Sequence, residues 1–364
     1  MALTFSDLSL HSLAREYLET SLSGSRREAS DLILKAARTS MTIRELYRDV
    51  IQPSQRELGA LWETGQITVA QEHVVTGITQ SAIAHLYSQF PFASQNGLRA
   101  LIACAPGELH ELGARMVADF LELEGWDVVF LGASTPIPDV IRAVLDHEAH
   151  IFGISATIAF NLPAAMELIS DMRKASRAHP VRIVAGGRAF GLSGRMPGQL
   201  GADGYSPDAE DAPHLFQQLL SSKSEQLDTQ IRGQVDHIGV TPAALSSFRA
   251  AHEKILAETV RRSAARSGAG ARPPAVSTET MRVGLQFTLR MLDAAMATDS
   301  VEILDDQLQW AARRLQHDKV SPALVLAEFQ LLADVVEESL APDHAAEILR
   351  AVRWLIEKQR ASLL

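Results

Sequence analysis

Between Arg99 and Gly187 the chain repeats one alternation: a short apolar run, then a longer stretch whose apolar residues recur at helical spacing. The runs are Arg99–Ala105, Asp127–Gly132, His150–Ser155 and Val181–Gly187, with a weaker one at Gly201–Tyr205. Strands alternating with amphipathic helices predict a doubly wound, flavodoxin-like α/β domain. Ahead of it, Leu10, Leu13, Ala14 and Leu18 keep a helical period, Ser23-Gly24-Ser25 breaks it, and Arg27–Ala37 resumes it. Thr68 with Gln71 three residues later reads as a helix cap, opening a helix expected to reach about Gln89. Beyond the α/β stretch, Thr241-Pro242 starts a helix expected to run to about Arg266, and Ser267–Pro274 reads as a loop. Further helices are expected over about 279–297, 301–316, 321–339 and 343–357. The pattern therefore divides the chain into a helical bundle over 1–95, an α/β domain over 96–223, and an all-helical region over 224–364 that is sized for a globin-like or bundle domain.

Composition narrows the function. A formal charge of -10 argues against broad contact with a phosphate backbone. The one cysteine, Cys104, falls inside a strand run, so the chain can form no internal disulfide and the thiol is expected to be buried. No run approaches the length of a membrane span and the first residues carry no signal pattern, which points to the cytoplasm and to no membrane partner. No kinase, cyclase or phosphodiesterase signature occurs, so the helical third is not expected to be catalytic.

The candidate chemistry sits at the carboxyl ends of the strand runs. After the first comes Glu108-x-His110-x-x-Gly113, after the third Ser155-x-Thr157, and after the fourth Gly186-Gly187. A single His or Gly-Gly in such loops is ordinarily a surface residue or a turn. Together, in this order, they resemble the cobalamin-binding signature. The resemblance implies that His110 ligates cobalt from below after displacing the cofactor's own dimethylbenzimidazole, and that the freed nucleotide tail runs down into the sheet. Imidazole suits cobalt, and Glu108 is placed to fix its tautomer. Gly113 permits close approach to the corrin, the Ser155 and Thr157 hydroxyls are available to the tail, and Gly186-Gly187 leaves it room.

In the bundle, Trp62 is followed after nine residues by Glu72-His73. Alone, such a Trp is usually core and such a His usually solvated. Ahead of a cobalamin-type domain, the pattern resembles that of the cobalamin photoreceptors, whose bundle caps the upper face of the corrin. That resemblance implies that Trp62 packs on the adenosyl group of adenosylcobalamin, with Glu72 and His73 close by. It further implies that light breaks the cobalt–carbon bond and that His73 can then become a second axial ligand. Nothing before Leu8 reads as a DNA-binding winged helix, so direct DNA binding is not expected; self-association and an unidentified downstream signalling protein are. Residues 224–364 read either as a dimerisation or docking module, with Val325, Phe329, Leu332 and Val336 as an apolar stripe, or, because the order of bundle, cobalamin domain and helical domain resembles the photocobilins, as the region that resemblance implies for biliverdin as a second chromophore. Arg261, Arg262, Arg266, Arg290, Arg313, Arg314, His317 and Trp310 are candidates for it by residue type, and most of the arginines suit a solvated helix face better. With no cysteine in that region, attachment would be non-covalent. The rival reading is a corrinoid protein that carries methyl groups for a methyltransferase system; a mutase subunit fits less well because no catalytic barrel is present. On either leading reading the chain is not itself an enzyme.

Overall fold

The computed structural model describes residues 5–192, 197–221, 237–266, 277–317 and 320–362. The expected 267–274 loop, most of the 233–239 connector and the Arg314 side chain lie outside the described residues.

The amino-terminal bundle comprises α1 (Phe5–Leu22), α2 (Arg26–Thr39), α3 (Ile43–Glu45), α4 (Gln52–Glu63) and α5 (Val69–Tyr87), with a π-helical stretch, Leu46–Ile51, joining α3 to α4. Tyr17, Ile33, Leu46, Tyr47, Val50 and Ile51 are fully buried at its centre. Thr68 and Gln71 form the anticipated capping box at the start of α5. That helix stops at Tyr87, two residues short of the expected Gln89, and the rings of Tyr87, Phe90 and Phe92 pack against one another at tilted angles just beyond it.

The central domain runs β1 (Arg99–Cys104), α6 (Leu112–Leu123), β2 (Asp127–Gly132), α7 (Ile137–Asp146), β3 (Ile151–Ser155), α8 (Leu162–Ala175), β4 (Arg182–Gly186), α9 (Arg188–Leu192), β5 (Gly204–Ser206) and α10 (Ala212–Ser221). All strands are parallel, in the order β2-β1-β3-β4-β5. The near-continuous apolar strands are covered on both faces, as a parallel sheet requires. Chain direction across the sheet reverses between β1 and β3, which opens a crevice at their carboxyl ends, and His110 lies in the loop there.

The last third contributes α11 (Pro242–Arg266), α12 (Thr278–Thr298), α13 (Glu302–His317), α14 (Pro322–Ser339) and α15 (Pro342–Ala361). Pro at the first or second position opens α14 and α15, and Ser277 caps α12 by accepting from the Thr280 N–H. Phe248, Leu289, Leu332, Val335 and Ile348 are among the fully buried residues that hold these helices together. The group does not stand apart. Helix α12 packs on α8 and on the turn Ala159–Asn161 that follows β3, and α13 touches α4 of the bundle. Among the described residues no helix is long and apolar enough to cross a membrane.

Candidate functional site

The loop after β1 is organised by one buried carboxylate. Glu108 is fully buried, and its Oε1 accepts from the His110 backbone N–H at 3.0 Å and lies 2.5 Å from His110 Nδ1. Its Oε2 accepts from the N–H groups of Thr157 and Ile158, both at 2.9 Å, and from Asn161 Nδ2 at 3.0 Å. Burial alone would push this carboxyl up, but the hydrogen bonds from the His110 ring, the Ile158 N–H and the His110 N–H outweigh it and hold the pKa at about 2. Glu108 is therefore an anion. It orients the His110 ring and binds the loops after β1 and β3 to each other. The hydrogen bond to Glu108 raises the His110 pKa against the opposing effect of burial, and the charge of Glu72 in α5 adds to it.

With Nδ1 committed to Glu108, Nε2 is the ring atom left for a ligand, and the His110 side chain is 58% exposed. Arg290 of α12 extends the network: its guanidinium lies 3.5 Å from the Phe160 ring centroid, and its Nη2 donates to Asn161 Oδ1 at 3.4 Å. The Asn161 amide is thus oriented from both ends.

Two cavities flank this loop and share Thr157. The first, of about 290 Å³, is lined by Gly113, Ser155, Thr157, Gly186 and Gly187, and deeper by Ile102, Gly153 and Phe216 between the sheet and α10. The four residues assigned to the tail by sequence, Ser155, Thr157, Gly186 and Gly187, meet here together with Gly113, assigned to the corrin. Gly187 has a φ of +88°, and a Cβ there would sit 2.4 Å from the Ala156 carbonyl oxygen, so only glycine holds this wall open. Gln52, Gln55 and Arg56 of α4, Ser206 at the end of β5 and Asp208 just beyond it also line it. These were not anticipated, because nothing local in sequence joins α4 to a strand end.

The second cavity, of about 550 Å³, brings Trp62 and His110 together with Phe160, Phe287, Trp310 and the inner faces of α12, α13 and α14. Phe160, Phe287, Trp310 and Trp62 form a succession of rings with centroids 5.3, 5.3 and 6.0 Å apart. Glu72 and His73 form an exposed pair in the first turns of α5, and Glu72 also accepts from Thr76 Oγ1 at 2.8 Å. His73 lines neither cavity. Farther along α5, Gln80 donates to Glu111 at 3.2 Å, which seats the helix over the His110 loop.

Of the described residues proposed by type for a second chromophore, Trp310 alone lines the second cavity. Arg261 and Arg262 pair with Glu258 and Glu338 on the helical surface, Arg313 bonds Glu63 of the bundle at 2.6 Å, and the cation that does line the cavity is Arg188, bonded to Asp306. Cys104 is buried, and burial together with the nearby Glu108 and Glu111 charges pushes its thiol up to about 12. Among the described residues no group of three or more His, Cys, Asp and Glu side chains could hold a metal ion.

This donor set fits a corrinoid: one imidazole with its second nitrogen anchored, beside a glycine-walled slot that descends into the sheet. Comparison with known proteins agrees. Residues 98–213 match a B12 binding domain, and residues 13–87 match a second family model also described as a B12 binding domain. Over 212 residues the chain is 21% identical to dimethylamine corrinoid protein 3 of Methanosarcina acetivorans, covering 58% of this chain and 98% of that protein. It is 31% identical over 129 residues to the HTH-type transcriptional repressor CarH of Myxococcus xanthus, covering 35% of this chain and 42% of the repressor. The corresponding figures for the repressor CarA of the same organism are 27% over 193 residues, 53% and 64%. Among solved structures, the Methanosarcina barkeri monomethylamine corrinoid protein matches with a TM-score of 0.50 and 16% identity over 56% of this chain and 96% of that one, a likeness of fold. Fold, site and relatives together define a cobalamin-binding protein.

Proposed function

We propose that this protein is a cytoplasmic light sensor that uses adenosylcobalamin and holds biliverdin non-covalently as a second chromophore. The observation that carries the reading is that Trp62 of the bundle and His110 of the sheet domain line one cavity. Bound adenosylcobalamin supplies a cobalt–carbon bond that light can break. The chain's residues do the rest. His110 would ligate through Nε2 while Glu108 holds Nδ1; Gly113 would permit close approach to the corrin, Ser155, Thr157, Gly186 and Gly187 would receive the tail, and Trp62 would pack against the adenosyl group. Loss of the adenosyl group would remove packing between bundle and sheet domain, and His73, paired with Glu72 in this structure, would be the residue available to bind the cobalt in its place. Light then selects between two sets of domain contacts, read out as a change in self-association or in docking of a downstream protein. The aromatic cavity beside Trp310 lies within the ~300–1,000 Å³ usual for small-molecule sites, which supports a second chromophore there.

The test is an absorption spectrum of protein loaded with adenosylcobalamin in the dark, repeated after green light. A light-driven spectral and oligomeric change that is lost in His73→Ala and altered in Trp62→Ala supports the sensor. Spectra that follow only the free cofactor's photolysis sink it.

A second reading is favoured by the near-complete coverage of dimethylamine corrinoid protein 3: a carrier of methyl groups for a methyltransferase system. It needs His110 and is indifferent to Trp62. Methyl transfer to the cobalamin-loaded chain, undiminished in Trp62→Ala, would establish it.

A further inference from the structure

One group in the second cavity has no role in holding cobalamin. Glu328 of α14 lines that cavity and is only 9% exposed. Its Oε1 accepts from Ser263 Oγ of α11 at 2.6 Å, while its Oε2 is buried without a hydrogen-bond partner. Leu304, Phe287, Met291, Trp310 and Phe329 make its surroundings in the cavity largely apolar. An unpaired carboxylate oxygen in such a place destabilises the fold unless something donates to it.

We propose that Glu328 accepts from the N–H edge of the ligand in this cavity, so that the site selects a planar, mostly apolar molecule bearing pyrrole-type N–H groups. The inference rests on the second-chromophore reading and adds to it the residue and the ligand edge that meet. A hydrocarbon would leave Oε2 unpaired, and a ligand carboxylate facing it would be repelled. Acidic ligand groups are drawn instead to Arg188, which lines the same cavity beside Asp306. A linear tetrapyrrole has this distribution: conjugated rings for the Phe287 and Trp310 faces, N–H donors along one edge, and carboxylates elsewhere. The ligand thereby supplies the donor that the protein withholds, and specificity follows because analogues without the N–H leave a buried acceptor unsatisfied.

The test titrates biliverdin into the full, cobalamin-loaded chain in the dark, following the long-wavelength bilin band for wild type, Glu328→Gln and Glu328→Leu. Thermal unfolding without bilin runs alongside. The leucine variant is expected to lose at least about tenfold in affinity, with the band displaced, while its bilin-free melting temperature holds or rises because the unpaired oxygen is gone. Glu328→Gln, which keeps the Ser263 partner, should bind with intermediate affinity and a displaced band. Affinity and band equal to wild type in either variant overturn the role of Glu328. A leucine variant that melts lower and loses cobalamin as well marks a structural role and also overturns it. If wild type does not retain biliverdin at all, the second-chromophore reading fails, and this inference with it.

Discussion

The indole of Trp62 lies 6.0 Å, centroid to centroid, from the indole of Trp310, the planes tilted by 36°. One residue lies in the last turn of α4 of the bundle and the other belongs to α13 of the last third, so the two regions meet in the lining of the larger cavity. Trp310 is half-buried, and truncation to Ala should cost about 1–3 kcal/mol, part of the ~3–5 seen for fully buried aromatics. Urea unfolding measures that cost. Biliverdin retention through gel filtration should fall while cobalamin retention persists.

Glu108 gives a pH signature in the cofactor-free protein. Its pKa is lowered in the fold, to about 2 from 4.5, so its stabilisation is fully present above pH 4.5 and is lost as pH falls through about 2. The shift corresponds to on the order of 3 kcal/mol. Glu108→Gln should be less stable than wild type by that order near pH 7, the gap closing between pH 5 and 2 in chemical-denaturation curves. A gap independent of pH would show that packing, not charge, is lost. Asn161→Leu removes one of the donors to Glu108 and should cost about 1–3 kcal/mol.

Gly187→Ala tests the tail slot. At a φ of +88° with a carbonyl oxygen 2.4 Å from the added methyl, the strand end must move. A destabilisation above about 1 kcal/mol is expected, with cobalamin affinity falling further as the slot narrows; Ser155→Ala, which adds no bulk, should bind more tightly than Gly187→Ala in the same equilibrium dialysis.

Tyr47 joins bundle to sheet domain: its hydroxyl donates to Asp119 Oδ2 at 2.6 Å, and Arg115 donates to Oδ1 at 3.2 Å. Burial raises the Asp119 carboxyl, and Tyr47 and Arg115 oppose that. Tyr47→Phe leaves a buried carboxylate oxygen short of a donor and should destabilise by about 1–3 kcal/mol, with amide exchange rising first in α3, α4 and α6 if the interface loosens before the core.

The α/β alternation, the parallel sheet, the capping box at Thr68 and the helical third were all legible in sequence, because each rests on local periodicity or local turn chemistry. That Glu108, His110, Ser155, Thr157, Gly186 and Gly187 meet at one sheet edge was legible through spacing, since a parallel sheet brings successive strand ends together. What sequence left open were contacts between elements far apart in the chain. Asn161 and Arg290 are 129 residues apart and meet only because α12 lies on the turn after β3. The choice of Trp310, Arg188 and Glu328 as lining residues, over the arginines that residue type suggested, was likewise decided by how α12, α13 and α14 pack. The amino-acid pattern by itself determined which elements form and which faces are apolar, because those depend on neighbours three or four residues away. Only the tertiary structure decided which polar groups share a cavity, because burial and hydrogen-bond satisfaction belong to the packed molecule and not to any segment of it.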